Sequence, residues 1–187
     1  MRKVTFSMGM TADGYIVGPD GEFDWSVPAP DVFRFAWDEV RALGVHLMGR
    51  KLYETMRYWE TVDPAALDPD ERGFAASWNP LPKVVFSRTL TEVDGSAARL
   101  ATGGLAEEIA RLRAEPGEGD IGIGGATLAA EAARLGLIDE YRIRTHPFLL
   151  GGGLPLFPHD GRQEKLEVLD TRAFPSGVTF THYRVVR

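Results

Sequence analysis

The sequence predicts an α/β fold in which a mostly parallel mixed sheet carries helices on both faces and finishes in a C-terminal antiparallel hairpin. Three observations lead there. Short apolar runs closed by glycine alternate with segments of helical periodicity as far as residue 146, the pattern of strand–helix–strand units. Beyond that point the helical periodicity ceases and strand-like runs remain at 166–169 and 178–186, the second alternating over part of its length, as an antiparallel edge does. With 187 residues, 44% hydrophobic and 26% charged, and no linker-like stretch, the chain fits a single domain over residues 1–187.

The elements follow in order. Residues 4–8 form a buried strand, and residues 45–48, closed by Gly49, form a second. Between them Phe33, Trp37, Val40 and Leu43 recur at helical spacing after Pro30 and Asp31, where Asp31 suits a cap or a first-turn acid. A second helix is expected over 49–59, and a short third over 70–78 before the breakers Pro80 and Pro82. Strands resume at 83–87 and 99–101. Leu105, Ile109 and Leu112 then mark a helix with Glu107 and Glu108 in its first turns, where the helix dipole favours acid. A strand at 120–123 turns through Gly124 and Gly125 into a helix bearing Leu128, Ala132 and Leu135, stopped by Gly136. A strand within 138–146 completes the alternation.

Composition excludes several functions. No run of 18 apolar residues exists and Asp13 interrupts the amino end early, so neither a membrane span nor a secretory leader is expected, and a cytoplasmic home follows. The absence of Cys removes disulfides, thiolate nucleophiles and Cys-ligated zinc. His46, His146, His159 and His182 are scattered without metal-ligand spacing, so no metal is expected; His46 and His146 read as structural strand histidines. A net charge of −6 with no basic stripe argues against nucleic acid. No Gly-x-Ser-x-Gly elbow supports a serine hydrolase.

Four segments carry candidate chemistry. The stretch 11–21 is rich in turn formers after the first strand, and a mobile loop is expected over the strand ends, where ligands bind in open α/β sheets. Gly49-Arg50-Lys51 joins a strand end to a helix start with two cations, an anion site unless both cations are merely solvated. Ser87-Arg88 sets a hydroxyl and a guanidinium at another strand end. Gly124-Gly125-Ala126-Thr127 lets a pyrophosphate approach backbone and helix amino terminus; it is neither the dinucleotide fingerprint, for Thr127 stands at its last glycine, nor a Walker loop. If the strands are parallel these segments converge on one edge. A dinucleotide with an extra phosphate needs that distribution: Gly124 and Gly125 for the pyrophosphate, Arg50 with Ser87 or Arg88 for the 2′-phosphate. Among the aromatics Trp25, Phe33, Phe35, Trp37, Tyr53 and Trp59, Trp25 is the better candidate for a pocket, since it precedes the helix in an irregular segment.

In their order along the chain, Asp13-Gly14-Tyr15-Ile16, Gly49-Arg50-x-x-Tyr53-Glu54, Ser87-Arg88, Gly124-Gly125 and the glycine loop 149–157 resemble the dihydrofolate reductase superfamily. The likeness is greatest to its bacterial branch similar to the reductase domain of the riboflavin-biosynthesis deaminase-reductase. The resemblance spans nearly the whole chain and implies a dihydrofolate-reductase-like three-layer fold. It also implies NADPH, with the nicotinamide near residues 9–16, including Ile16, the pyrophosphate over Gly124, Gly125, Ala126 and Thr127, and the adenosine phosphate on Arg50 and Ser87, beside Gly49, Lys51 and Arg88. By the same likeness Asp31 is the nearest match to the acid that pairs with a pterin and assists its protonation; Trp25 and Tyr53, from the aromatic set, are the candidates to line the substrate. The segment 25–31 departs from that pattern in length, so Asp31 is equally a helix cap. Hydride transfer asks little of side chains beyond positioning, water exclusion and one proton. Two functions therefore stand: an NADPH-dependent reductase of a pterin, pyrimidine or other small heterocycle, and a nucleotide-binding protein that keeps the pocket without turnover. A homodimer is the expectation from the resemblance, for which the β-rich tail 141–186 offers an edge, although pairing within the chain explains that surface as well.

Overall fold

The computed structural model describes residues 1–95 and 97–187. Its strands are β1 (Val4–Thr11), β2 (Tyr15–Val17), β3 (Leu43–Gly49), β4 (Lys83–Phe86), β5 (Ala98–Leu100), β6 (Asp120–Gly124), β7 (Glu140–His146), β8 (Leu154–Pro155), β9 (Leu166–Ala173) and β10 (Thr179–Val185). Its α-helices are α1 (Pro30–Arg41), α2 (Arg50–Met56), α3 (Tyr58–Thr61), α4 (Pro69–Trp78), α5 (Leu105–Ala114) and α6 (Ala126–Arg134). Eight strands form one sheet in the order β5-β4-β3-β6-β1-β7-β10-β9. The first six run parallel; β10 and β9 extend them antiparallel. The mostly parallel sheet with a C-terminal hairpin and helices on both faces is thus present. Among the described residues no helix is long and apolar enough to cross a membrane.

Alternation along the strands sorts side chains between two layers. Val45 and Leu47 of β3, with Ile121 and Ile123 of β6, pack under Leu105, Ile109 and Leu112 of α5 and the small residues Ala129, Ala132 and Ala133 of α6. The intervening Met48, with Val85 of β4, faces Phe74 and Trp78 of α4 and Phe33, Trp37 and Val40 of α1. The alanines of α6 let that helix sit close to the sheet, whereas α4 uses stacked aromatics, Phe74 and Trp78 lying 6.0 Å apart at 12°.

Local chemistry explains the element ends. Asp68 caps α4 by accepting from the Glu71 backbone N–H at 2.8 Å, while the Glu71 carboxylate accepts from the Asp68 N–H at 2.9 Å. The far end of α4 is closed by Lys83, whose buried Nζ donates to the carbonyls of Trp78, Asn79 and Leu81 at 2.8, 3.1 and 3.0 Å. Burial pulls the Lys83 ammonium below its usual range, partly countered by Glu60. A cation that the sequence shows only as a strand opener thus serves as the C-terminal cap of a helix.

Several boundaries differ from the sequence reading. The helix expected over 49–59 is two helices, α2 and α3, parted at Arg57. Ala29, not Asp31, holds the N-cap position of α1, and Asp31 sits in its first turn. The loop expected over 11–21 contains β2, which pairs with β8 of the glycine loop. Asp13 ties the two loops further: its carboxylate accepts from the Leu150 N–H at 3.1 Å, the Gly151 N–H at 2.7 Å and the Thr11 hydroxyl at 2.5 Å. Those bonds, the Thr11 hydroxyl foremost, hold its pKa below the ordinary value. A segment expected to be mobile is therefore pinned along part of its length. Turn-rich sequence alone cannot reveal a partner 140 residues away.

Candidate active site

Because the six strands are parallel, their carboxyl ends form one rim. Gly49 at the end of β3 stands opposite Phe86 of β4, and Met48 stands opposite Gly124 of β6. Neighbouring strands lie about 4.8 Å apart. The residues that follow these ends, Arg50, Ser87 and Gly125, therefore leave three adjacent strands side by side. The chain passes from β3 outward to β4 but from β6 across β1 to β7, so the rim between β3 and β6 is a topological switch point, where open α/β sheets place their ligand crevice.

The two glycines of β6 have different physical reasons. Gly125 has φ +88°, open space where a Cβ would project, and the N-cap position of α6. No side chain caps α6, so its first-turn N–H groups, at Ala126 and exposed Thr127, point past the rim with the positive end of the helix dipole behind them. Gly124 is glycine for packing instead: a Cβ there would lie 2.4 Å from Leu52 Cδ2 and 2.5 Å from His46 Cε1. Gly49 likewise has open space where a Cβ would be.

The cations are arranged around this opening. Among the described residues Arg50 reaches only its own helix, meeting Glu54 at 3.3 Å with both side chains about half exposed; such a pair is worth little and yields readily to a phosphate. Lys51 and Arg88 are exposed. The Ser87 hydroxyl oxygen accepts from the Thr89 and Leu90 N–H groups at 3.1 and 3.0 Å and lies 3.4 Å from Thr89 Oγ1, which fixes the turn leaving β4. Ile16 lies in β2, half-buried against the α5–α6 core layer. An uncapped helix start, a glycine with its open side outward and cations without strong partners fit a phosphorylated dinucleotide.

The residues suggested for chemistry separate. Asp31 at the start of α1 accepts from the Val32 N–H with Oδ1, while its buried Oδ2 has no hydrogen-bond partner among the described residues. Trp25 meets His146 of β7 edge-on at 5.2 Å and stacks on Phe148 at 6.4 Å. Tyr53 departs from the expectation of a substrate contact. It is 5% exposed, and its hydroxyl donates to the Asp94 carbonyl at 2.9 Å and accepts from the Asp94 N–H at 2.8 Å. That phenol anchors the 87–97 connection and has nothing left to offer a ligand.

A second feature, unmarked by any local motif, lies deeper. Beneath the second half of α1 is a cavity of about 230 Å³ reaching from Gly124 to Gly122, Thr5 and Arg142. On its wall the Ser7 hydroxyl donates to Glu39 Oε2 at 3.0 Å, and Arg144 Nη1 donates to Ser7 Oγ at 3.0 Å and to Glu39. His46 closes the opposite side; burial first, then the charge of Lys83, pushes its pKa down to about 4. The one sequence signal for Glu39 is its offset of eight residues from Asp31, which sets it about 80° round α1, within one broad helix face. Ser7 and Arg144 have no such signal, because cross-strand neighbours are set by sheet order.

Comparison with known proteins agrees with this architecture. The RibD C-terminal domain family matches residues 2–180. The Bacillus subtilis (strain 168) protein YyaP is 35% identical over 178 residues, 95% of this chain and 92% of its own length. YwjB of the same organism is 26% identical over 98% of both. Among solved structures, a Shewanella sp. PV-4 protein named for riboflavin biosynthesis superposes over the full length of both chains with a TM-score of 0.77 and 28% identity. A Thermotoga maritima diaminohydroxyphosphoribosylaminopyrimidine deaminase/5-amino-6-(5-phosphoribosylamino)uracil reductase shares the fold at TM-score 0.68 and 14% identity, over 99% of this chain and 57% of that one. This chain belongs to the RibD C-terminal domain family and has a dihydrofolate reductase-like fold.

Proposed function

We propose that this chain is a cytoplasmic NADPH-dependent reductase that transfers hydride to a small heterocycle, a dihydrofolate-like pterin or the ribosylaminopyrimidine precursor of riboflavin. The observation that carries the reading is the register of β4, β3 and β6, which brings Ser87, Arg50 and Gly125 onto one rim. Membership of a reductase-type family supports the reaction class, and the names of the Shewanella and Thermotoga proteins support the pyrimidine. When bound, NADPH supplies the hydride. The start of α6, with Gly125, Ala126 and Thr127, receives the pyrophosphate. Arg50, with Ser87 or Arg88 and the nearby Lys51, takes the 2′-phosphate beside Gly49. Ile16 lies beside the nicotinamide, Trp25 borders the substrate, and Asp31, or a water it orients at Oδ2, delivers the accompanying proton.

Thermal unfolding with NADPH, NADH or neither tests the first step. A ligand at a hundred times its Kd stabilises by about 2.7 kcal/mol, and no shift with NADPH would reject the reading. Arg50→Ala is expected to reduce the preference for NADPH over NADH by about 1 to 3 kcal/mol, the range for one charge-assisted contact. Oxidation of NADPH by dihydrofolate or the riboflavin intermediate then separates an enzyme from a nucleotide-binding protein without turnover.

The same reading includes a homodimer. The outer edge of β9 pairs with no strand among the described residues, and its length from Glu167 to Ala173 is exposed, Val168 and Leu169 included. Edges of that kind invite a second strand. Sedimentation velocity should show a dimer that Val168→Lys turns to monomer; a monomer in the unaltered protein would remove this part of the reading.

A further inference from the structure

The two ends of the rim carry opposite charge. Where β3 and β4 leave the sheet stand Arg50, Lys51 and Arg88. Where β1 and β7 leave it there is no such cation: from Val4 to Phe33 and from Thr145 to Gly161 the sequence has no Lys or Arg, while Asp13, Asp20, Glu22, Asp24, Asp31 and Asp160 supply six carboxylates. These two segments form one surface. Tyr15 and Val17 of β2 pair with Pro155 and Leu154 of β8. The Ala12 N–H donates to the Phe148 carbonyl and the Leu156 N–H to the Gly14 carbonyl, each at 2.9 Å, and Trp25 stacks on Phe148.

Cations from neighbouring parts of the chain do not make good the lack. Arg144 is engaged by Ser7 and Glu39, Arg34 by Asp70 at 2.6 Å, and Arg172 lies over the Phe35 ring at 4.9 Å. Arg162 acts on Tyr141, five residues before His146 in β7 and so about 16 Å nearer the opposite edge of the sheet. His146 is held below its ordinary pKa by burial and then by Arg144, which keeps it neutral near pH 7. What this end of the rim presents instead is apolar. Phe23 and Val27 on one segment, and Phe148 and Leu149 on the other, are exposed around half-buried Trp25. Exposed apolar side chains gathered from two segments about one aromatic ring mark a contact surface.

We infer that the acceptor reduced at this rim is an unphosphorylated, uncharged heterocycle with an apolar substituent lying against Trp25 and Phe148, and that the surrounding carboxylates reject phosphorylated aminopyrimidines. The inference rests on the reductase reading and narrows its substrate. A phosphate monoester carries about −1.5 to −2 charges at pH 7; at the Trp25 end it would meet carboxylates and apolar side chains with no cation to pair it. The cations across the rim are no substitute, because β1 lies two strand spacings, about 10 Å, from β3, and the cofactor phosphates occupy them. Selection here works by repulsion as much as by attraction. The Thermotoga protein, named for a phosphoribosylamino uracil, shares the fold at 14% identity, a likeness that does not extend to the charge of these two segments.

Three probes test it by calorimetry on the protein saturated with NADP+, which permits no turnover: 6,7-dimethyl-7,8-dihydropterin, 5-amino-6-ribosylaminouracil and the 5′-phosphate of the latter. The two neutral compounds should bind, the dihydropterin with its methyl groups the tighter. The phosphate should bind about tenfold or more weakly than its nucleoside at low salt, and the gap should close as salt rises to about 0.5 M, where charges are screened. Leu149→Arg and Val27→Arg, at exposed positions of the two segments, should each narrow the gap several-fold at low salt and leave nucleoside affinity unchanged. Phosphate bound as tightly as the nucleoside, a gap indifferent to salt and to both arginines, or neutral compounds that fail to bind a protein holding NADP+ would each overturn the inference. Failure to bind NADP+, with the neutral compounds still bound and the phosphate rejected, would count against the reductase reading alone; failure of all ligands would overturn both.

Discussion

Replacing Glu108 by Ala should lower the unfolding free energy by about 1.5 to 3 kcal/mol, the range for losing hydrogen bonds to a charged group whose arginine partners are partly exposed. Glu108 is 1% exposed. It receives Arg99 Nη2 at 2.8 Å, the Thr102 N–H at 2.9 Å and Arg111. Burial alone would raise its pKa; Arg99, Thr102 and Arg111 together outweigh that and hold it down to about 2. Alanine would leave two guanidinium groups without their shared anion. Urea unfolding at neutral pH measures the loss, and a change under about 1 kcal/mol would mean that solvent compensates the two arginines. The network joins β5 to α5, the crossover that carries the chain back to β6, so dinucleotide affinity should fall with stability.

A comparable loss should follow acidification, and its window identifies the group. His46 titrates near 4 in the folded protein against an ordinary value of 6.5. Above about pH 6.5 it is neutral folded and unfolded, and contributes nothing. Between 6.5 and about 4 the unfolded chain takes up a proton that the folded one refuses, so stability falls with pH; below about 4 the loss is complete. At about 1.4 kcal/mol per pH unit the total is about 3 kcal/mol. His146, lowered by burial and then by Arg144, acts in the same direction, so the decisive measurement is a difference. Chemical unfolding of the unaltered protein and of His46→Gln should diverge in pH dependence between 7 and 4.5. Parallel curves would show that His46 takes up a proton freely in the fold. The carboxylates Glu108 and Asp13, both lowered, act in the same direction but in a lower range: their contribution is present above their ordinary values and is lost at more acid pH, outside this window.

Much of the rim was legible in the sequence because its signals are local. A glycine closing an apolar run, as at Gly49 and Gly124, marks a strand end wherever the strand goes in the sheet, and a helix starting at the next residues marks the anion-binding end of that helix. Arg50, Ser87 and Gly125 could therefore be proposed as neighbours once parallel strands were assumed, and the register supplies the adjacency. Tyr53 shows where that logic stops. Its spacing from Gly49 follows the motif, yet the position of Asp94, 41 residues later, turns its hydroxyl into an anchor.

By itself the sequence determined the alternation of strands and helices, the terminal hairpin, the glycine turns and the absence of cysteine chemistry, all of which depend on residues within a few positions of one another. Only the tertiary structure decided that Asp13 staples two loops, that Lys83 caps a helix, and that Ser7, Glu39 and Arg144 meet beneath α1. Those contacts depend on the strand order, in which β6 is inserted between β3 and β1 and β7 lies beyond. Periodicity fixes which face a side chain takes, whereas strand order fixes who stands opposite, and that order is settled by the free energy of the whole packed core.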